Sequence, residues 1–210
     1  MRHLKFLVVL ICSLIFVDGC QPPQNDLAVK TSTDYITEAA ARVAEKDDFK
    51  YSEPGYKQSS FVSFRFKYPD NWTVPVSKQI PEAEVVCVRK EAIDNFTPNF
   101  LILAEPAKGT SSDLLKVTKR QFRKYSREGI PNAEILDFEH GKFRDRDVVY
   151  LHIQGTTDAN KVEQFHYLFI ENGREVTLCF SSSCPITDAV KDEFDAILGS
   201  FTVVSSVNAE

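Results

Sequence analysis

The sequence predicts an α+β domain in which a mainly antiparallel sheet is flanked by helices. Three observations predict it. Segments with period-two alternation recur from about Ser59 to Ser181. Short turns join most of them, which favours antiparallel pairing. Two other stretches, 110–127 and 186–197, repeat apolar residues at helical spacing, so each should lay one side on the sheet.

Val62, Phe64, Phe66 and Tyr68 fall on one face of a first strand, with Ser63, Arg65 and Lys67 on the other. Pro69-Asp70-Asn71 ends it, and Trp72 can fold back as an aromatic plug. Glu84–Arg89 and Asn99–Glu105 read as further strands. Thr110–Arg127 reads as a helix opened by a capping box, Thr110-x-x-Asp113, with Leu114, Thr118, Phe122 and Tyr125 as its stripe. Strands follow at about 133–143 and 147–155, turning at Arg144-Asp145-Arg146-Asp147. Two more, at about 163–171 and 174–181, flank Asn172-Gly173, a hairpin turn in which Gly takes positive φ cheaply. After Pro185 a last helix carries Ile186, Val190, Phe194 and Ile197, and Phe201 closes the core.

The N-terminus has a different character. Arg2 and Lys5 precede an apolar run from Phe6 to Val17, broken only by Ser13. As a helix it spans roughly 18 Å, against a hydrocarbon core of ~30 Å, so it reads as a signal peptide and not a permanent span. Val17-Asp18-Gly19-Cys20 then resembles a bacterial lipobox, with Asp18 where a small residue is usual. In that motif Cys20 forms a thioether to diacylglycerol and the chain is cut before it. Two acyl chains, at ~0.8 kcal/mol per buried methylene, suffice for stable anchoring. Ordinary signal-peptidase cleavage at the same place would instead leave Cys20 as a free thiol. In a Gram-negative host, Gln21 in place of the Asp of inner-membrane retention would point to the outer membrane, facing the periplasm.

Residues 21–33 carry two prolines and no apolar period, as a tether does. Residues 34–46 suggest a short helix, with Asp34 as cap and Ile36, Ala40 and Val43 on one side. The chain thus divides into a signal peptide (1–19), a lipid anchor and tether with a short helix (20–58), an α/β domain (59–204) and a tail (205–210).

With a formal net charge of −5, made more acidic by loss of the leader, the protein lacks the basic footprint of a nucleic-acid binder. Sixteen Phe, seven Tyr and one Trp are enough to fill a sizeable core. Beyond Cys12 and Cys20, the cysteines are Cys87, Cys179 and Cys184, an odd number. In an oxidising compartment Cys179–Cys184 could close a short loop over Phe180–Ser183. Cys87–Cys179 is the rival pairing, and three thiols the third arrangement.

Several features together carry a family resemblance. These are Phe64-Arg-Phe-Lys-Tyr-Pro-x-x-Trp72, the amphipathic helix after the third strand, Gly173-Arg-Glu-Val-Thr-Leu-Cys-Phe180 and Phe194-x-x-Ile-x-x-Ser-Phe201. They resemble the PsbP-like superfamily, which includes the photosystem II extrinsic protein, a Ran-binding import factor family and bacterial DcrB-like lipoproteins. The resemblance covers about 60–203. It implies an α/β/α sandwich and a role in binding or assembly, not catalysis, and it transfers no functional residue.

Three further signals bear on function. Lys116, Arg120, Arg123 and Arg127 would share one face of the 110–127 helix, with Lys119 and Lys124 nearby and no acid among them. Such a face suits an envelope protein or anionic lipid, at ~1 kcal/mol per cation. It could equally be a solvated face, or pair with Asp188, Asp192, Glu193 and Asp195 of the last helix. A hairpin centred near Ala159 would set His152 opposite His166, and one centred near Arg146 would set His140 opposite His152. Three imidazoles could then line one face as a metal site requires, although register decides this. Cys179 beside His166 could suggest a thiol nucleophile, but no third residue is evident to orient it. No GxSxG, P-loop, HExxH, GxGxxG or CxxC motif is present. The expectation is therefore a non-catalytic envelope binding protein without a cofactor, and the alternative is an envelope hydrolase or metal-binding protein.

Overall fold

A computed structural model describes residues 49–51, 63–75, 83–120, 122, 130, 132–157 and 160–204. Its centre is a seven-stranded, wholly antiparallel sheet. In spatial order the strands are β4 (Trp72–Thr73), β5 (Ala83–Arg89), β6 (Asn99–Pro106), β10 (Arg174–Ser183), β9 (Lys161–Glu171), β8 (Arg146–Thr156) and β7 (Glu134–Phe143). The β9–β10 hairpin turns at Asn172 and Gly173, both at positive φ (49° and 71°), as the Asn-Gly pair predicts. The β7–β8 hairpin turns at Arg144 and Asp145, with Phe143 opposite Arg146.

The aromatic stretch at 62–68 is not one strand. It splits into β2 (Ser63–Arg65), paired with β11 (Thr202–Val204), and β3 (Lys67–Pro69), paired with β1 (Phe49–Tyr51). The change of partner falls at Phe66, and Phe64 and Phe66 are both buried all the same. Period-two alternation reports which side is apolar, and two short strands in series keep it as well as one long strand.

Helix α2 (Asp188–Ser200) covers one face of the sheet. Thr187 caps it by accepting from the Val190 N–H, and Val190, Phe194 and Ile197 turn inward as their spacing predicts. Under it lie Phe100, Phe143, Phe169, Phe180 and Phe201. Phe100 and Phe180 stack at 4.5 Å, and Phe180 meets Phe194 at 5.0 Å. Trp72 does plug this core, edge-on to Phe194 at 5.8 Å. On the opposite face Leu114, Phe122 and Ile130 pack on Val149, Leu151, Ile153, Val162 and Leu168.

Gly155 sits where this second layer comes closest. A Cβ there would overlap the Ile130 Cγ2 methyl and crowd the Ala133 backbone. Gly155→Ala is expected to cost about 2 kcal/mol by overpacking, read as a lower urea midpoint at unchanged m-value.

The expected helix over Thr110–Arg127 needs correction. Its start is as predicted: Thr110 and Asp113 form a reciprocal capping box at the head of α1 (Ser111–Leu114). But α1 ends after Leu114. The Lys116 and Val117 N–H groups bond three residues back, and regular helix resumes only at Lys119. Two β-branched residues in succession, Val117 and Thr118, weaken the helix there. The Val117 carbonyl also accepts a hydrogen bond from the His140 ring, 3.2 Å away on β7. Leu114 and Phe122 both pack on the sheet all the same.

Candidate functional site

The structure disperses most of the residues singled out from the sequence. Cys20, Arg123 and Arg127 lie outside the described residues. Lys116 is exposed in the break after α1, where its Nζ is 3.0 Å from the Asp113 carboxylate. Arg120 is exposed on the resumed helical turn. The helix is interrupted between Lys116 and Arg120, so they do not belong to one continuous helix. Nor does this segment meet the acidic last helix, because α1 and α2 lie on opposite faces of the sheet. The acids of α2 have other partners: Asp195 pairs with Lys191, and Glu193 with Arg89.

The Cys179–Cys184 disulfide is ruled out. Ser181–Ser183 are not a turn but the end of β10, paired through Ser183↔Val162, and the Cys184 N–H still bonds to Lys161. Five extended residues span about 17 Å, whereas a disulfide needs Cα atoms roughly 4.4–6.8 Å apart. Cys87 and Cys179 cannot pair either. Cys87 lies beside Phe100 under α2, and Cys179 beside Leu101 on the other face. None of the three cysteines forms a disulfide.

The histidine triad also fails. His152 stands opposite Phe165 and Asp137, His166 opposite Leu151, and His140 opposite Val149. His152 therefore faces α2, and His140 and His166 face α1. Among the described residues no group of three His, Cys, Asp or Glu side chains could hold a metal ion.

The structure does bring together two polar constellations. The first is a buried lane in the sheet's centre on the α1 face. Cys179 and His166 are directly opposed there, with Sγ 3.7 Å from Nε2. The His166 Nε2 also lies 3.0 Å from the Gln164 Oε1, while the Gln164 amide donates to the Ser181 hydroxyl at 2.9 Å. The thiol–imidazole neighbourhood is thus real, but its chemistry opposes catalysis. Burial pushes the Cys179 thiol up to about 12 and the His166 imidazole down to about 4. A nucleophilic cysteine requires the thiolate–imidazolium form, and both shifts disfavour it. The single contact that could orient the ring, Gln164, uses the same nitrogen that faces sulfur. A catalytic base is held by its other nitrogen.

The second constellation faces α2. The Glu163 Oε1 is 2.6 Å from the His152 Nε2, and its Oε2 accepts the Ile186 N–H at 3.0 Å. His152 stacks on Phe165 at 4.5 Å and 17°. Burial acts to raise the Glu163 carboxyl, but the His152 and Ile186 donors outweigh it and hold the group below its ordinary value. This carboxylate ties β8 and β9 to the strap that leads into α2. No sequence motif marks it, since the signal is a strand acid next to a cross-strand histidine, and that pairing is invisible without register.

No known protein-family profile matches the chain, and no curated protein sequence matches it. Solved structures do share its fold. Cyanobacterial PsbP (CyanoP) from Synechocystis sp. PCC 6803 superposes with a TM-score of 0.52 at 18% identity, covering 76% of this chain and 94% of that one. LpqN of Mycobacterium tuberculosis, described as involved in cell envelope biogenesis, superposes with 0.53 at 15%, covering 83% and 98%. The domain has the PsbP-like α+β fold.

Proposed function

We propose that the protein is a lipid-anchored bacterial envelope lipoprotein, of the DcrB-like branch, whose PsbP-like domain binds a partner and performs no catalysis. The observation that carries this reading is the short apolar leader ending in Val17-Asp18-Gly19-Cys20. The neutral, buried Cys179–His166 pair supports it, because the one nucleophile–base neighbourhood evident in the sequence is chemically inert. An envelope protein of the same fold, LpqN, is consistent with it. In this reading the domain faces the periplasm, from the outer membrane in a Gram-negative host. Its partner is an envelope protein or anionic lipid met by Lys116, Arg120, Arg123 and Arg127. Labelled palmitate fed to expressing cells should enter the wild-type protein and be absent from Cys20→Ala, which should also leave the membrane fraction. Equal labelling of both, or of neither, would refute the anchor.

A further inference from the structure

The Cys179–His166 neighbourhood is unsuited to nucleophilic catalysis, but its donors suit a different chemistry. β10 and β9 are the fourth and fifth of the seven strands, and each pairs with a strand on both sides. Cys179 and His166 therefore project from backbone that is held in place. Their Sγ and Nε2 atoms are 3.7 Å apart. Metal–sulfur and metal–nitrogen bonds of about 2.3 and 2.0 Å, drawn from these two atoms to one ion, meet there at about 120°. The Ser181 Oγ lies 3.8 Å from the same sulfur. A metal–oxygen bond of about 2.1 Å puts that pair at about 120° as well. The sulfur thus stands at trigonal spacing from one nitrogen and one oxygen donor without any shift of the strands. Gln164 braces both of those donors, with its Oε1 3.0 Å from the His166 Nε2 and its amide donating to Ser181.

We propose that Cys179 and His166 form a binding site for a soft monovalent cation of the copper(I) or silver(I) kind, with the Ser181 hydroxyl as a weaker third donor. Thiolate and imidazole are donors that soft ions prefer. Zinc instead takes three or four ligands of the His, Cys, Asp or Glu kind, and no such group of three exists among the described residues. Charge points the same way. Binding exchanges the Cys179 S–H proton, released to solvent, for the cation on the resulting thiolate. A monovalent ion leaves the site as neutral as it was. A divalent ion adds a net positive charge beside Gln164 and Ser181, neither of which can offset it. At the nitrogen no proton competes with the ion above about pH 4, because the His166 ring is neutral there. Coordination at Nε2 places the ring proton on Nδ1, so the His166–Gln164 hydrogen bond is given up when the ion enters.

Two measurements test this on the full chain carrying Cys12→Ser, Cys20→Ser and Cys184→Ser. Cys87, on the opposite face, is then the single thiol besides Cys179. In the first, nitrogen NMR follows the histidine rings as silver nitrate is added. At one equivalent the His166 ring resonances should move, with Nε2 split by one-bond coupling to silver, while His140 and His152 stay in place. Zinc at the same concentration should move none of them. In the second, glutathione competes for the silver, and His166→Gln should bind it roughly tenfold more weakly than its parent, or worse. Unmoved His166 resonances, an equal response to zinc, or equal affinity in His166→Gln overturns the site. The first readout keeps His166 in place, so poor folding of His166→Gln cannot produce it. Neither readout depends on lipidation, so failure here is distinct from failure of the anchor.

Discussion

Glu193→Ala is expected to lower the unfolding free energy by about 3 kcal/mol, seen as a large drop in urea midpoint. The carboxylate is the meeting point of three elements. It accepts from the Asn71 Nδ2 at 2.6 Å, the Trp72 Nε1 at 2.9 Å and the Arg89 Nε at 3.2 Å. Helix α2 is thereby fixed to the β3–β4 turn and to the end of β5. Removing the acid leaves an indole N–H and the Nε–H of a mostly buried guanidinium without their acceptor, while the Arg89 Nη1 keeps the Glu91 carbonyl. That penalty, and not the worth of the bonds themselves, sets the size of the effect. Glu193→Gln keeps one acceptor oxygen but turns an amide NH₂ toward donors, so it should fall between wild type and alanine. If both variants unfold within 0.5 kcal/mol of wild type, the clamp adds nothing and the apolar packing of Val190, Phe194 and Ile197 holds the helix.

The sheet was largely legible in the sequence, because long strands with period-two burial and an Asn-Gly turn leave few alternatives. What failed was register. The β8–β9 turn runs from Thr157 to Asn160, where the Thr157 N–H bonds to the Asn160 carbonyl and Thr156 pairs with Lys161. Its centre thus lies half a residue before Ala159, and that shift moves His152 from His166 to Phe165 and onto the opposite face. The Cys179–Cys184 loop failed for a related reason. Ser-Ser-Ser has turn-like composition, but β9 extends far enough to hold those residues in the ladder. The interrupted helix at Val117–Thr118 was half legible: the β-branched pair stands in the sequence, but the bond from His140 to the Val117 carbonyl comes from another strand. The clamps at Glu163 and Glu193 were hidden likewise: each acid has ordinary local sequence, and its role is set by partners 11 to 122 residues away. Local pattern predicts elements, and contacts between elements decide sites.

Acidification should destabilise the domain between pH 6.5 and 4, by about 3 kcal/mol, through His166. The imidazole is buried in the polar lane, and desolvation lowers its pKa to about 4. In the unfolded chain it titrates near 6.5. Between those values the unfolded state binds a proton that the folded state refuses, so stability falls as pH falls across this window. The group is buried, so solvent screening shrinks the effect little. Glu163 acts lower on the scale. Its folded carboxyl lies below the ordinary value, so its stabilisation is present above the carboxylate range and is lost as pH drops through its folded pKa. The two contributions separate by window. His166→Gln should flatten the urea-midpoint profile from pH 6.5 to 4.5 while keeping the steep loss below 4.5, whatever its offset at pH 7. Glu163→Gln should do the reverse. A His166→Gln profile parallel to wild type across the upper window would mean that the lane admits water and that His166 protonates in place. Cys179, beside it, would then be open to the reactivity that burial now denies it.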